Sequence, residues 1–348
     1  MAHPAISALS RGPAPAETGR AGLELFSTCP SSLEPRESYV DRIVQAAQWS
    51  ERAGCTGMLV YTDNSMVDPW LVSQILIQNT RSLSPLVAVQ PVYMHPYTVA
   101  KMVATLAFLY RRRIYLNMVA GGFKNDLAAL NDSSPHDDRY TRLIEYTQII
   151  QGLMQGFPVT RAGQFYSVTN LTLNPRVPPD LRPGVLMSGS SDAGQRAARA
   201  TNAVAVTYPE PPESGTSISG PGGVRIGIVT RPRSDAAWKA ALARFPSDRR
   251  GQLTRQLATK VSDSSWHHRL SEVGREAARP RRTYWLEPFE NYQTNCPYLV
   301  GSYQEVAAEL ERYIALGHRT FILDIPATEA ELEHTAAAFQ TAMERAGL

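Results

Sequence analysis

Residues 23–32 read Leu-Glu-Leu-Phe-Ser-Thr-Cys-Pro-Ser-Ser, and this stretch decides the fold. Leu23 to Thr28 reads as a strand, and the turn after it carries proline and serine but no glycine. An open, doubly wound sheet often places a glycine-rich turn after its first strand. Without that turn, the reading moves to the other common parallel arrangement, a closed barrel. Working outward, apolar runs at 57–62, 84–90, 114–119, 184–187, 203–207, 224–230 and 320–324 read as further strands. Helical periodicity fills 38–53, 69–79, 96–110, 137–155, 192–200, 234–243, 301–316 and 328–346. Eight strands, most followed by a helix, predict an α/β fold of the (β/α)8 TIM-barrel type. The runner-up is the doubly wound sheet. Residues 157–174 break the rhythm and read as a small β excursion, an insertion in the barrel.

The barrel is expected to be a single domain over 23–348, behind a flexible tail at 1–22 that is rich in Ala, Pro, Gly and Ser. A transit-like peptide is the alternative for that tail. Residues 245–295 are rich in Arg, Ser and Gln and weakly periodic. They follow strand seven, on the catalytic side of a barrel, and are expected to form a mobile lid. Composition limits the rest. With 43% hydrophobic residues the chain has material for a sizeable core, which excludes wholesale disorder. A net charge of +3 argues against a nucleic-acid partner, and no apolar run is long enough for a membrane span. Three scattered cysteines, Cys29, Cys55 and Cys296, argue against a disulfide framework or a zinc site, and fit a cytoplasmic location. His267 and His268 have no companions at zinc spacing, so no metal is expected. Arg111-Arg112-Arg113, at the bottom of the barrel, is expected to be a solvated charge run.

Four motifs carry chemistry. Met187-Ser-Gly-Ser-Ser-Asp-Ala-Gly194 joins a strand to a helix start, where free N–H groups favour an anion; a capped helix is the equal alternative. Pro135-His-Asp-Asp-Arg-Tyr140 opens a helix with His136 and Tyr140 on one face. Its acids also simply suit the helix dipole. Asn117 sits inside an apolar strand, so it bonds either a neighbouring loop or a polar ligand. Thr207-Tyr-Pro-Glu-Pro-Pro212 ends a strand as a pocket wall or a stiff loop. No P-loop, dinucleotide fingerprint or serine-hydrolase elbow is present.

In this order, the motifs resemble the bacterial luciferase-like flavin-dependent monooxygenases, in particular the alkanesulfonate monooxygenase branch. The resemblance also rests on Asp68-Pro-Trp-Leu71, the run ending Gln90-Pro91, Pro96-x-Thr-Val-Ala100, Gly163-Gln-Phe-Tyr166, Leu299-Val-Gly-Ser302 and Thr320-Phe-Ile-Leu323. It implies an enzyme that takes FMN as FMNH2 from a separate flavin reductase. That enzyme oxygenates its substrate with O2 through a C4a-(hydro)peroxyflavin. It implies that Gly189, Ser190 and Ser191 hold the FMN phosphate, and that Val89, Gln90, Asn117, His136 and Tyr140 contact the flavin. His136 is the expected catalytic neighbour. Met66, Trp70 and Tyr208 would line a substrate pocket, with Arg231, Asn291 and Tyr292 as further candidates. The sulfonate branch carries a cysteine where Met66 stands, a histidine in a longer strand seven, and a tyrosine missing at Asp324-Ile-Pro326. Residues 288–298 resemble antibiotic-pathway members that hydroxylate carrier-tethered amino-acyl chains. The expected partners are therefore the reductase, a small or carrier-bound substrate and further copies of the chain. Arg279, Arg281 and Arg282 would meet an acidic carrier, or water alone. An F420-dependent hydride-transfer oxidoreductase, a desulfonating enzyme and a non-catalytic flavin-binding barrel remain alternatives.

Overall fold

Most barrel strands are short and largely buried, so both of their faces must be covered. The inner face meets other strands, and the outer face meets helices. The computed structural model describes residues 22–32, 36–214, 218, 220–246 and 282–348. Around the barrel run β1 (Glu24–Thr28), β2 (Gly57–Val60), β3 (Ser84–Val89), β4 (Tyr115–Val119), β7 (Gly184–Ser188), β8 (Val204–Thr207), β9 (Gly222–Arg231) and β12 (His318–Leu323). All neighbours are parallel, and β12 pairs with β1 to close the ring. The expected α/β barrel is the observed fold. The expected tail at 1–21 and the lid's 247–281, with Arg279 and Arg281, lie outside the described residues.

The outer ring includes α1 (Arg36–Arg52), α2 (Pro69–Gln78), α3 (Pro96–Tyr110), α4 (Lys124–Ala129), α5 (His136–Met154), α6 (Asp192–Thr201) and α7 (Ser234–Arg244). It is completed by α8 (Glu287–Glu290), α9 (Tyr303–Ala315) and α10 (Glu329–Ala346). The β excursion is a hairpin of β5 (Val159–Ala162) and β6 (Ser167–Leu171). Its Gly163-Gln-Phe-Tyr166 motif is structural: Glu145 of α5 accepts the N–H groups of Gln164, Phe165 and Tyr166. A Cβ at Gly163 would lie 2.3 Å from that carboxylate.

Three expectations are corrected. The strand read at 224–230 runs further at both ends; β9 has ten residues. Its first half pairs with β8 and β12, but β8 is only four residues long. The ladder groups of the upper half are satisfied by an added strand, β11 (Tyr298–Ser302), itself paired with β10 (Tyr284–Trp285). That strand occupies the start of what periodicity reads as helix 301–316. The arginine run is not all solvated either. Arg112 is buried and donates to Thr80 Oγ1 and to the carbonyls of Thr80, Arg81 and Leu83. A bottom loop full of carbonyls needs donors, and a guanidinium offers five.

The alternation of strand side chains sets the interior. Phe26, Leu59, Leu86, Tyr115, Leu186, Val206 and Ile322 form one internal layer. Two residues further along β2, β8 and β12 stand Tyr61, Tyr208 and Asp324, at the mouth. Arg225 stands in the same relation to Gly223, which lies against Val206.

Candidate active site

The site is built at the C-terminal ends of the strands. At the end of β7, Ser188 Oγ donates to Asn117 Oδ1 at 2.8 Å, so the buried amide of β4 is held by its neighbouring strand. Gly189 follows, and a Cβ there would lie 2.4 Å from Tyr140 Oη. This position requires glycine because the tyrosine of α5 is packed onto the backbone. Ser191 then caps α6, accepting from Gly194 N at 3.2 Å, and is hydrogen-bonded to Tyr140. Burial raises the Tyr140 phenol above its ordinary value, so it is a neutral hydroxyl at physiological pH. Ser190 Oγ is buried without a hydrogen-bond partner among the described residues. A buried hydroxyl left so is costly. Together with the N–H groups at the start of α6 that lack an intrahelical acceptor, it offers the donors that an anion requires.

His136 opens α5 beside this turn. Its ring meets Tyr140 edge-on at 5.1 Å, and its Nδ1 is 2.7 Å from Asp137 Oδ1. Asp137 in turn pairs with Arg196 of α6 at 3.2 Å. The two helix starts are thus tied together by a row of side chains at the surface. The His136 contact, with Arg196, holds the exposed Asp137 carboxyl below its ordinary range.

Beside the turn, the ends of β2 and β3 enclose a cleft of about 270 Å³. Met66, Trp70, Val89 and Gln90 line it, with Asp63 and Tyr93. Trp70 is only 3% exposed, fixed by α2, whose start is capped by Asp68. Gly121, with φ of 97°, lets the chain after β4 pass close to Gln90.

Across the mouth stands a different wall. Arg225 is hydrogen-bonded to Tyr208, and its guanidinium lies 6.0 Å from the Tyr61 ring centroid. Arg225 Nε is buried without a partner. Asp324 Oδ2 accepts from Tyr298 Oη at 2.6 Å. The Tyr298 ring fills the space above Gly227, where a Cβ would lie 2.2 Å from it. Leu286 and Phe289, from the described end of the lid region, pack with Tyr208 and cover this wall.

Of the residues named from sequence, the structure gathers Asn117, His136, Tyr140, Gly189, Ser190 and Ser191 at one turn, and Met66, Trp70, Val89 and Gln90 in the adjoining cleft. Tyr208 joins the opposite wall. Arg231 does not join it; its guanidinium is engaged by Glu331 of α10. Asn291 is buried at the end of α8, and Tyr292 beside it is exposed. Arg225, Asp324 and Tyr298 were missed. The available signal was strand alternation: an arginine two residues after Gly223 must face inward.

Comparisons with known proteins give the family and support the barrel. Residues 23–218 match the luciferase-like monooxygenase family. The chain is 32% identical over 311 residues to the 4-(gamma-L-glutamylamino)butanoyl-[BtrI acyl-carrier protein] monooxygenase BtrO of Niallia circulans, covering 86% of this chain and 90% of the relative. The fold is similar to EDTA monooxygenase EmoA from Chelativorans sp. BNC1, with a TM-score of 0.70, 16% identity, and coverage of 94% of this chain and 98% of that one. It is also similar to an F420-dependent secondary alcohol dehydrogenase, with a TM-score of 0.63, 16% identity, and coverage of 92% and 99%. At such identities the structural likeness speaks for the barrel alone. The sequence matches place the chain in the luciferase-like monooxygenase family, as a flavin-dependent oxidoreductase.

Proposed function

We propose that the chain takes reduced FMN from a separate flavin reductase and hydroxylates an amino-acyl chain carried on an acyl-carrier protein in the cytoplasm. The observation that carries the cofactor assignment is the orphaned Ser190 hydroxyl, buried beside Tyr140 at the start of α6. A phosphate monoester there satisfies the hydroxyl and the N–H groups together, and suits the helix dipole. Gly189, Ser190 and Ser191 hold the phosphate; Asn117, Tyr140, Val89 and Gln90 border the ring. The substrate class is supported by the relative BtrO, whose name specifies a carrier-bound acyl chain.

Bound reduced flavin supplies the two electrons that split O2, one oxygen entering the substrate and the other leaving as water. The chain's own part is to position and to exclude water. Trp70, packed into the cleft floor, and Met66 shape an apolar entrance. His136 exchanges a proton at Nε2, because Nδ1 is held by Asp137.

The test is anaerobic titration with FMNH2 and with reduced F420, then addition of O2 and mass spectrometry of a 4-(γ-L-glutamylamino)butanoyl carrier thioester. FMNH2 binding and a product heavier by one oxygen are expected. Binding of reduced F420 in place of FMNH2 would overturn the reading. His136→Ala is expected to uncouple product from O2 uptake by about tenfold while FMNH2 still binds. Full coupling in that variant would remove the role given to His136.

A further inference from the structure

We propose that the wall made by β8, β9 and β12 seats the distal head of the substrate, and that this head is an α-amino acid, its carboxylate on Arg225 and its ammonium on Asp324. This rests on the reading above for the reaction, but the observation is separate. In the closed ring, β9 stands opposite β3 and β12 opposite β4. A chain whose head lies on Arg225 and Asp324 therefore crosses the mouth in front of the cleft between β2 and β3.

The chemistry of the wall selects the head. Arg225 and Asp324 attract each other across β9 and β12, Leu286 and Phe289 pack against Tyr208, and Asp324 also borders a small pocket with Arg244 and Glu331. No direct ion pair joins Arg225 to Asp324 among the described residues. Arg225 keeps a buried Nε–H without an acceptor. That atom, with a neighbouring guanidinium N–H, offers the paired donors that match a carboxylate. Asp324 is steadied at one oxygen by Tyr298 and has acceptor capacity remaining. Tyr298 is itself held by Arg244, which lies 5.6 Å from its ring centroid and donates to Ile325 O at 2.7 Å. A plain carboxylate would meet Arg225 but repel Asp324, and a plain amine the reverse. A group bearing both charges satisfies both without leaving net buried charge.

The test measures binding to the full chain by calorimetry, without flavin or turnover. Three probes are used: γ-L-glutamyl-4-aminobutanamide, its glutaryl counterpart lacking the amine, and its 4-aminobutanoyl counterpart lacking the carboxylate. The protein is expected to bind the first at least about tenfold more tightly than either other, the scale of one charge-assisted hydrogen bond. Arg225→Gln should abolish discrimination against the probe without carboxylate, and Asp324→Asn discrimination against the probe without amine. Equal binding of the three probes, no binding, or one common loss across all probes in both variants would overturn the proposal. The probe series on the unaltered protein decides the matter even where a variant fails to fold. Discriminating binding without FMNH2-dependent oxygenation would support the wall while removing the reaction proposed above.

Discussion

On the wall made by β4 and β7, the polar groups proposed to hold the cofactor are uncharged: backbone N–H groups, the hydroxyls of Ser190 and Tyr140, and the amide of Asn117. On the wall made by β8, β9 and β12, the binding groups are ions, Arg225 and Asp324, set among Tyr61, Tyr208 and Tyr298. The first wall depends on backbone shape. It needs Gly189 because Tyr140 lies where a Cβ would stand. The second depends on charge balance, because buried ions are tolerated only when partners or ligands compensate them. A cofactor common to a family suits a wall of fixed shape, and a particular substrate suits a wall that a few side chains redefine.

The comparison can be broken most directly at Arg225. Arg225→Met removes a guanidinium that is hydrogen-bonded to Tyr208 and attracted to Asp324, and is expected to lower stability by about 3 kcal/mol, the upper scale for losing a hydrogen bond to a charged group. Urea unfolding measures it. FMNH2 affinity should stay unchanged, since no residue of the first wall contacts Arg225 in the interactions seen. A variant of unaltered stability would mean that Asp324 is already balanced by other groups.

Acid sensitivity separates both walls from the bottom of the barrel. His318, at the start of β12, is buried, and its Nδ1 lacks a partner. Burial first, then Arg319, pushes its imidazole down to about 4 from 6.5. The folded state therefore binds fewer protons than the unfolded chain between these values. The stabilisation is fully present above pH 6.5 and is lost as pH falls through about 4, roughly 3 kcal/mol in all. His318→Gln should flatten that part of the stability profile. A slope that persists in the variant would assign the acid sensitivity to other groups with lowered values, such as His334 of α10.

The first wall was the more legible from sequence, for a physical reason. Its proposed cofactor contacts lie in a strand-to-helix turn, and turns show as Gly, Ser and Asp at fixed spacing. Thus Ser188 to Gly194 and His136 to Tyr140 could be named and placed together, and the eight strands were recognisable as apolar runs. Arg225 sits inside such a run, where one polar residue among Val224, Ile226 and Ile228 gives little local signal. Arg231 was more visible because it ends the strand, and its partner Glu331 lies 100 residues away. The added strand β11 was hidden because Tyr298 to Ser302 runs directly into α9, so two periodicities share one stretch. Its pairing answers the unmet ladder groups of β9, a tertiary demand that no local pattern records.

The dependence of the first wall on shape predicts that Gly189→Ala weakens FMNH2 binding about a hundredfold, the upper range of an overpacking strain. Binding of the γ-glutamyl probe to the opposite wall should be retained. Tyr140→Phe in the same protein should restore part of the loss, because the clash is with the phenol oxygen at 2.4 Å. An unchanged FMNH2 affinity in Gly189→Ala would mean that the turn can shift, and that the first wall is no more rigid than the second.

The smallest effect tests the cradle itself. Ser190→Ala removes a buried hydroxyl that has no protein partner. In the flavin-free protein this should leave stability unchanged or slightly raise it, because an unsatisfied polar group is removed. With FMNH2 the sign reverses: one hydrogen bond to the phosphate is lost, and affinity should fall about fivefold, the value of about 1 kcal/mol. Riboflavin, which lacks the phosphate, should bind the variant and the unaltered protein alike. This opposition of signs is what distinguishes a hydroxyl kept for a ligand from one kept for the fold. A variant destabilised without flavin, or one that loses riboflavin as much as FMNH2, would assign Ser190 to the fold and leave the helix end as an ordinary capped turn.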